Sequence, residues 1–203
     1  MAPIVESAAL AAFCARVSRS SYVTVDTEFM RDKTYYPQLC LVQVAGDEDA
    51  AVIDSLAPGI DLSPLLALMD NPAVLKVFHA ARQDLEIFHN LTGRVPAPLF
   101  DTQVAAALAG HPAQVGYAEL VRRLLERELP KAHTRTDWSR RPLAPEQIEY
   151  ALDDVRYLLP LQERLTAEIE SLGRAEWLAE ELAALTTPAG VGIDPELAWQ
   201  RFK

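Results

Sequence analysis

The order of the predicted secondary structure elements constrains this fold most. Three short apolar or β-branched runs come first, at residues 22–25, 39–45 and 51–53. Turn residues at 46–49 join the last two, and a connection this short makes those strands antiparallel neighbours. From residue 62 onward, short apolar runs alternate with helical patterns, which is typical of parallel strands joined by right-handed crossovers. The sequence therefore predicts an α/β fold with a mixed sheet.

Two further strands are predicted at 74–78 and 99–101, and the remaining pattern is helical. The helices are expected at 62–69, 82–90, 102–108, 117–125, 145–159, 161–172 and 176–185. Thr92-Gly93 marks the end of the second of these helices. Pro160 is expected to break the long helical run, and Gly173 is expected to close it.

The domain organisation follows from the last part of the chain. Residues 187–192, rich in Pro and Gly, read as a linker, and Asp194-Pro195 resembles the start of another helix. We expect one domain over 1–187, followed over 188–203 by a linker and the beginning of a further helical module that is absent or truncated.

Composition excludes several classes of protein. Half of the 203 residues are hydrophobic, and no apolar run approaches the ~20 residues of a membrane span. The first residues lack a basic region and carry Glu6, so no signal peptide is predicted. Cys14 and Cys40 have no metal-binding spacing and are expected to be reduced. These features predict a cytoplasmic protein with no membrane partner.

The net charge of −10 argues against a nucleic-acid partner, but the charge is unevenly distributed. Residues 121–141 hold seven Lys or Arg and three acids, a local charge of +4. Such a segment can contact phosphates, or it can be a solvated helix face and loop.

Four carboxylates are candidates for a common site. Asp26 and Glu28 are two apart at the predicted end of the first strand, so their side chains share one side. Asp84 begins the helix after the 74–78 strand. Asp154 lies on the helix that begins at Pro145.

The helical periodicity distinguishes Asp154 from its neighbour. The apolar stripe of this helix consists of Ile148, Leu152, Val155 and Leu159. Tyr150 and Asp154, at positions i and i+4, lie side by side along one flank of that stripe. Asp153 is almost opposite the stripe and is expected to face water.

Carboxylates gathered without a cation repel one another, and some of them stay protonated. Oxygen ligands of this kind suit Mg²⁺ or Mn²⁺, and two such ions ~3.5–4 Å apart support phosphodiester hydrolysis. A neighbouring tyrosine can orient the attacking water. The alternative is that each acid is a helix cap or a surface charge.

Three motifs carry a family resemblance. Residues 25–29 (VDTEF), 79–85 (HAARQDL) and 150–154 (YALDD) are similar to the three motifs of the DEDD superfamily of 3′–5′ exonucleases. The Tyr-x-x-x-Asp form of the third motif marks the tyrosine branch. Residues 100–103 and 134–143 are similar to the ribonuclease D family within that branch. The resemblance covers nearly the whole chain.

The resemblance implies a ribonuclease H-like fold: a mixed five- to six-stranded sheet flanked by helices, with a helical C-terminal part. It also implies two divalent cations, Mg²⁺ or Mn²⁺. Asp26 matches the acid that bridges both ions, and Glu28 and Asp154 match ligands of the ion that carries the nucleophilic water. Asp84 matches the acid of the second ion, and Tyr150 matches the residue that orients the water.

The implied activity is removal of single nucleotides from RNA 3′ ends, with release of 5′-monophosphates. Transfer RNA precursors with single-stranded 3′ ends are the implied substrates, and a monomer is favoured. A DNA 3′–5′ exonuclease and a non-catalytic RNA-binding module are the alternatives. Ala80 stands where many family members have Asn, and Gln83 stands where an aromatic is frequent, so strand choice or rate can differ.

Eight further residues are expected to contact substrate: Thr27, Phe29, Met30, His79, Arg135, Trp138, Arg140 and Arg141. Arginines around an aromatic suit a single strand's phosphates and bases. For Phe29, Met30 and His79 the alternative is packing in the core, and for the arginines it is pairing with Asp137.

Overall fold

The fold is organised around a five-stranded mixed sheet. The computed structural model describes residues 2–31, 34–47, 49–130 and 136–187. The strands are β1 (Tyr22–Met30), β2 (Gln38–Ala45), β3 (Ala50–Asp54), β4 (Leu75–Phe78) and β5 (Leu99–Asp101). The predicted linker and helix start in 188–203, and the candidate Arg135, lie outside the described residues.

The strand order is β3-β2-β1-β4-β5. β1, β2 and β3 pair antiparallel, whereas β4 pairs parallel with β1 and with β5. The predicted mixed sheet is therefore confirmed, and helices lie in the sequence between its parallel strands.

Helices cover both faces of the sheet. They are α1 (Ser7–Val17), α2 (Ser63–Asp70), α3 (Arg82–Thr92), α4 (Thr102–Ala109), α5 (Tyr117–Leu125), α6 (Pro145–Arg156), α7 (Leu158–Ser171) and α8 (Ala175–Leu185). In the described part of the chain, none of them is both long and apolar enough to cross a bilayer.

The two faces of β1 pack against two different clusters of buried side chains. On one face Val23 and Val25 join a cluster of buried side chains from α1, α2 and α3. On the other face α6 packs over β1, β2 and β3, and Leu41 and Val52 meet Leu152 there. The even-numbered residues of β1 point to this second face, because side chains alternate along a strand.

Three predictions about the elements were wrong. The sequence analysis omitted α1, whose spacing of Leu10, Phe13, Cys14 and Val17 is helical, because alanines around the helix weaken the contrast between its faces. β1 continues to Met30 rather than ending near Asp26. The long helical run breaks at Tyr157 rather than at Pro160, which lies in the first turn of α7, where a missing N–H is tolerated.

Asp101 links the turn between β4 and α3 to the start of α4. Its buried carboxylate accepts hydrogen bonds from the backbone N–H groups of Gln103 and Val104, which caps α4. It also accepts them from the N–H groups of Ala80 and Ala81 at 3.0 and 2.8 Å. One side chain therefore fixes the turn between β4 and α3, which carries Asp84.

Candidate active site

β1 supplies two carboxylates from the middle of a central strand. Asp26 and Glu28 are cross-strand neighbours of Gln43 and Leu41 on β2. A register shift follows at once, since Glu28 pairs with Leu41 while Phe29 pairs with Leu39. Bulges of this kind increase the local twist and redirect side chains. The two acids therefore share the face that α6 covers, as their spacing predicted.

α6 brings the third carboxylate to the same place. Ligand oxygens of Asp26, Glu28 and Asp154 all lie within 4.8 Å of one another. Asp153 is on a different side of α6 and forms an ion pair with Arg156 at 2.7 Å. The sequence predicted that Asp153 faces water. Its side chain is only 19% exposed, so it is more shielded from solvent than predicted.

Asp84 approaches the cluster from the first turn of α3. It is buried, and its carboxylate accepts a hydrogen bond from the hydroxyl of Thr27. Its negative charge contributes to raising the pKa of Asp26. Thr27 therefore uses its hydroxyl to orient Asp84, whereas the sequence predicted a contact between Thr27 and substrate.

The four carboxyl groups have abnormal proton affinities. Burial, followed by the charges of Asp84, Asp154 and Glu28, raises the pKa of Asp26 well above its usual range. Burial and the charges of Asp154 and Asp84 raise the pKa of Glu28 to about 8. Burial also raises the pKa values of Asp84 and Asp154 to about 7. A cation would relieve this repulsion, and an all-oxygen donor set suits Mg²⁺ or Mn²⁺.

Tyr150 lies one helical turn before Asp154 on α6. Its ring stacks on the buried Trp138, with ring centroids 6.2 Å apart and planes 28° apart. Burial and the carboxylates of Asp154, Glu28 and Asp26 raise the pKa of Tyr150. Its hydroxyl therefore keeps its proton at neutral pH and can donate a hydrogen bond beside the acids.

A cavity of about 580 Å³ opens beside these side chains. It is lined by Gly116, Tyr117, Ala118, Glu119, Leu129, Pro130, Tyr150, Asp153 and Asp154. Tyr117, the first residue of α5, was not among the predicted site residues. No local motif distinguishes Tyr117, and only a tertiary contact, the hydrogen bond of its hydroxyl to α6, marks its place beside the cavity.

Other predicted substrate residues have partners within the protein. His79 bonds through Nδ1 to the Thr102 hydroxyl at 2.8 Å and through Nε2 to the Val115 carbonyl at 3.0 Å. Burial lowers the pKa of His79. These contacts match the core alternative for this histidine.

The arginines separate into two kinds. Arg141 binds both oxygens of Asp54, at 2.6 and 2.5 Å, and its side chain is 28% exposed. Arg140 is 84% exposed and pairs with Asp137 at 3.0 Å. Arg140 is thus the one of these two with a guanidinium open to solvent.

The remaining predicted contacts are partly or fully buried. Trp138 is buried in the cluster under α6, with Met30 packed against it. Phe29 is partly buried against the core on the opposite face of the sheet. The structure therefore favours packing roles for Trp138, Phe29 and Met30.

The sequence is similar to those of known proteins. The sequence model of a family described as 3′–5′ exonuclease matches residues 1–170. Ribonuclease D of Acidiphilium cryptum is 56% identical over 195 residues, which cover 96% of this chain and 50% of that protein. This chain spans about half the length of the curated relatives it matches.

Two solved structures are also similar. Escherichia coli RNase D, described as an exoribonuclease involved in structured RNA processing, aligns with a TM-score of 0.90 and 40% identity. The alignment covers 98% of this chain and 54% of that one. Brucella melitensis NrnC with bound Mg²⁺ aligns with a TM-score of 0.78 and 28% identity, covering 92% and 90% of the two chains.

Proposed function

Because this chain belongs to the 3′–5′ exonuclease family, with ribonucleases D as its curated relatives, we propose that it is a divalent-metal-dependent 3′–5′ exoribonuclease. The observation that carries the proposal is the convergence of Asp26, Glu28 and Asp154 within 4.8 Å. β1 and α6 are far apart in the sequence, and the charges of Glu28 and Asp154 both contribute to raising the pKa of Asp26. A surface charge or a helix cap needs no such arrangement.

The donor set fits divalent ions. Asp26, Glu28 and Asp154 would hold one ion, and Asp84, which faces Asp26 from α3, would help to hold a second. Bound Mg²⁺ or Mn²⁺ would lower the pKa of an attacking water and stabilise the charge on the phosphate. The oxygen-only chemistry of these side chains is the ground for naming those two metals.

The protein side chains position the reactants. The protonated hydroxyl of Tyr150, next to Asp154 and Glu28, is placed to orient the attacking water. Trp138 fixes the Tyr150 ring by stacking on it. Thr27 holds Asp84 in one orientation through its hydroxyl. Pre-set orientation of this kind lowers the entropic cost of reaching the transition state.

We assign the terminal nucleotides of the substrate to the cavity beside Tyr150. Its walls combine aromatic and apolar surface from Tyr117, Leu129 and Pro130 with the carboxylate of Asp154 at its edge. Bases and riboses pack on such walls, while the scissile phosphate would lie at the carboxylates. An unpaired RNA 3′ end, such as the tail of a transfer RNA precursor, is the substrate class we propose.

The test is a time course on a 5′-labelled RNA with an unpaired 3′ tail, in Mg²⁺ or Mn²⁺. We expect a ladder that shortens one nucleotide at a time and disappears in chelator. Asp154→Asn should abolish the ladder, whereas Glu149→Gln, a matched control on the exposed side of the same helix, should retain it.

Equal loss of activity in the two variants would reject the proposed site. In that case the effect comes from α6 as a whole rather than from the carboxylate cluster. A DNA strand of the same sequence tests the sugar, since faster cleavage of DNA than of RNA would replace the exoribonuclease with a DNA exonuclease.

A further inference from the structure

Gln43 is a polar residue in an otherwise apolar layer. It lies in the middle of β2, its side chain is fully buried, and neither its Nε2 nor its Oε1 has a hydrogen-bond partner among the described residues. Its cross-strand neighbour on β3 is Val52, and Leu41 precedes it on the same face. Leu or Met would fill this space without leaving two polar atoms unpaired.

The sheet register places this amide next to Asp26. Asp26 and Gln43 are directly opposite each other in the antiparallel pair of β1 and β2. Directly opposed side chains point to the same face, with Cβ atoms ~4.5–5.5 Å apart. Because Gln43 has no exposed surface beneath α6, it cannot contact RNA, but it lies across the strand pair from the Asp26 carboxylate.

We propose that Gln43 is a positioning residue for Asp26: its amide N–H binds the Asp26 carboxylate when the cluster holds divalent ions and fixes the orientation in which that carboxylate ligates them. This inference rests on the proposed function and deepens it. Groups that hydrogen-bond metal ligands typically change metal affinity by 10–100-fold when they are removed. The proposal gives the buried amide of Gln43 a partner, the Asp26 carboxylate, in the metal-loaded protein.

Gln43→Met tests the proposal, because it keeps the length of the side chain and removes the hydrogen bond. Two quantities are measured: the melting temperature in chelator and the Kd for Mn²⁺ by calorimetry. We expect the melting temperature in chelator to stay equal or rise, since an unpaired amide is replaced by an apolar group. We expect the Kd for Mn²⁺ to weaken at least tenfold.

Val52→Ala is the matched control, because it loosens the same face beside Gln43 and leaves the amide in place. It should lower the melting temperature and keep the Mn²⁺ Kd within twofold of wild type. A Gln43→Met Kd within twofold of wild type would overturn the proposal, whatever its melting temperature. If Gln43→Met does not fold, Gln43→Asn, whose amide is one methylene too short, takes its place under the same criteria.

Failure to fold of both variants would give the amide a structural role and also overturn the proposal. Failure of the proposed function gives a different result. In that case wild type itself shows no Mn²⁺ binding and no RNA ladder. Wild type that binds Mn²⁺ and degrades RNA, together with a Gln43→Met protein that binds Mn²⁺ equally well, rejects only the role of Gln43.

Discussion

The hydroxyl of Tyr117 donates a hydrogen bond to the backbone carbonyl of Asp153 at 2.8 Å and accepts one from the N–H of Tyr157 at 3.2 Å. In an uninterrupted α-helix, the carbonyl of residue 153 and the N–H of residue 157 would bond directly. The phenol of Tyr117 therefore replaces one helical hydrogen bond, and α6 ends there. This junction immediately follows Asp154, so α5 controls the end of the helix that carries a metal-site acid.

Tyr117→Phe removes that bridge. We expect the free energy of unfolding to fall by ~1 kcal/mol, since the partly buried carbonyl of Asp153 loses the hydroxyl that donates to it. Thermal unfolding in chelator measures the change. Tyr157→Phe is the control, because its backbone N–H rather than its hydroxyl donates the bond to Tyr117. An unchanged melting temperature in Tyr117→Phe would mean that the direct helical bond forms once the hydroxyl is gone.

The stability of the metal-free protein should depend on pH. Glu28 has a pKa raised from 4.5 to about 8, and Asp84 and Asp154 have pKa values raised from 3.8 to about 7. Between the unfolded pKa values near 4 and the folded values near 8, the folded state binds more protons than the unfolded chain. Stability therefore falls as pH rises from roughly 4 to 8. Chemical unfolding in chelator across this range should show that decline.

Binding of Mn²⁺ and removal of one carboxylate should both reduce this loss of stability with rising pH. Mn²⁺ at 100 times its Kd should add ~2.7 kcal/mol of stability at neutral pH. Glu28→Gln should be more stable than wild type at pH 8 in chelator, because one repelling carboxylate is removed, and it should gain less from Mn²⁺. Stability that rises with pH over this range, or an equal Mn²⁺ effect in both proteins, would contradict the assignment.

Ala80 should be improved by Asn. It has a positive φ of 56°, a backbone conformation that costs a residue with a Cβ ~1–2 kcal/mol and that Asn tolerates better. Its side chain is exposed, so Asn has space. We expect Ala80→Asn to stabilise by ~0.5–1 kcal/mol and raise the melting temperature by ~1–4 °C. Ala80→Val should lower it, and a loss of stability in both variants would reject the backbone explanation.

Arg140 and Arg141 should have separable effects. Arg141→Ala leaves the buried Asp54 carboxylate unpaired and should cost ~3 kcal/mol of stability, measured by chemical unfolding. Arg140→Ala should change stability by less than ~1 kcal/mol, because its ion pair is exposed. If Arg140 contacts a phosphate, its loss should reduce the slope of log affinity for RNA against log salt by ~0.7. An unchanged slope would remove Arg140 from the substrate contacts.

Periodicity predicted most of the elements because this chain places its apolar residues regularly. α5 has the predicted bounds, and β2, β3 and β5 are within one residue of theirs. The helix break was misplaced because its cause lies in another element: Tyr117 is on α5, and nothing near Tyr157 in the sequence signals the contact.

The site was predictable where one element decided the geometry. The two-residue spacing of Asp26 and Glu28, and the choice of Asp154 over Asp153, follow from strand and helix periods. The partners of Arg141 and His79 were not predictable, because Asp54 and Val115 reach them only through tertiary packing. Gln43 did leave a signal, a polar residue inside the apolar run at 39–45.

The carboxylate cluster joins β1, near the beginning of the chain, to α6, after more than two-thirds of it. A ribosome makes the N-terminal part first, so β1 leaves the exit tunnel long before Asp154 has been synthesised. The cluster is incomplete throughout that interval. With the proposed activity, a nascent chain would be unable to degrade the messenger being translated or the transfer RNAs in use, and it would become a nuclease only when α6 docks on the sheet.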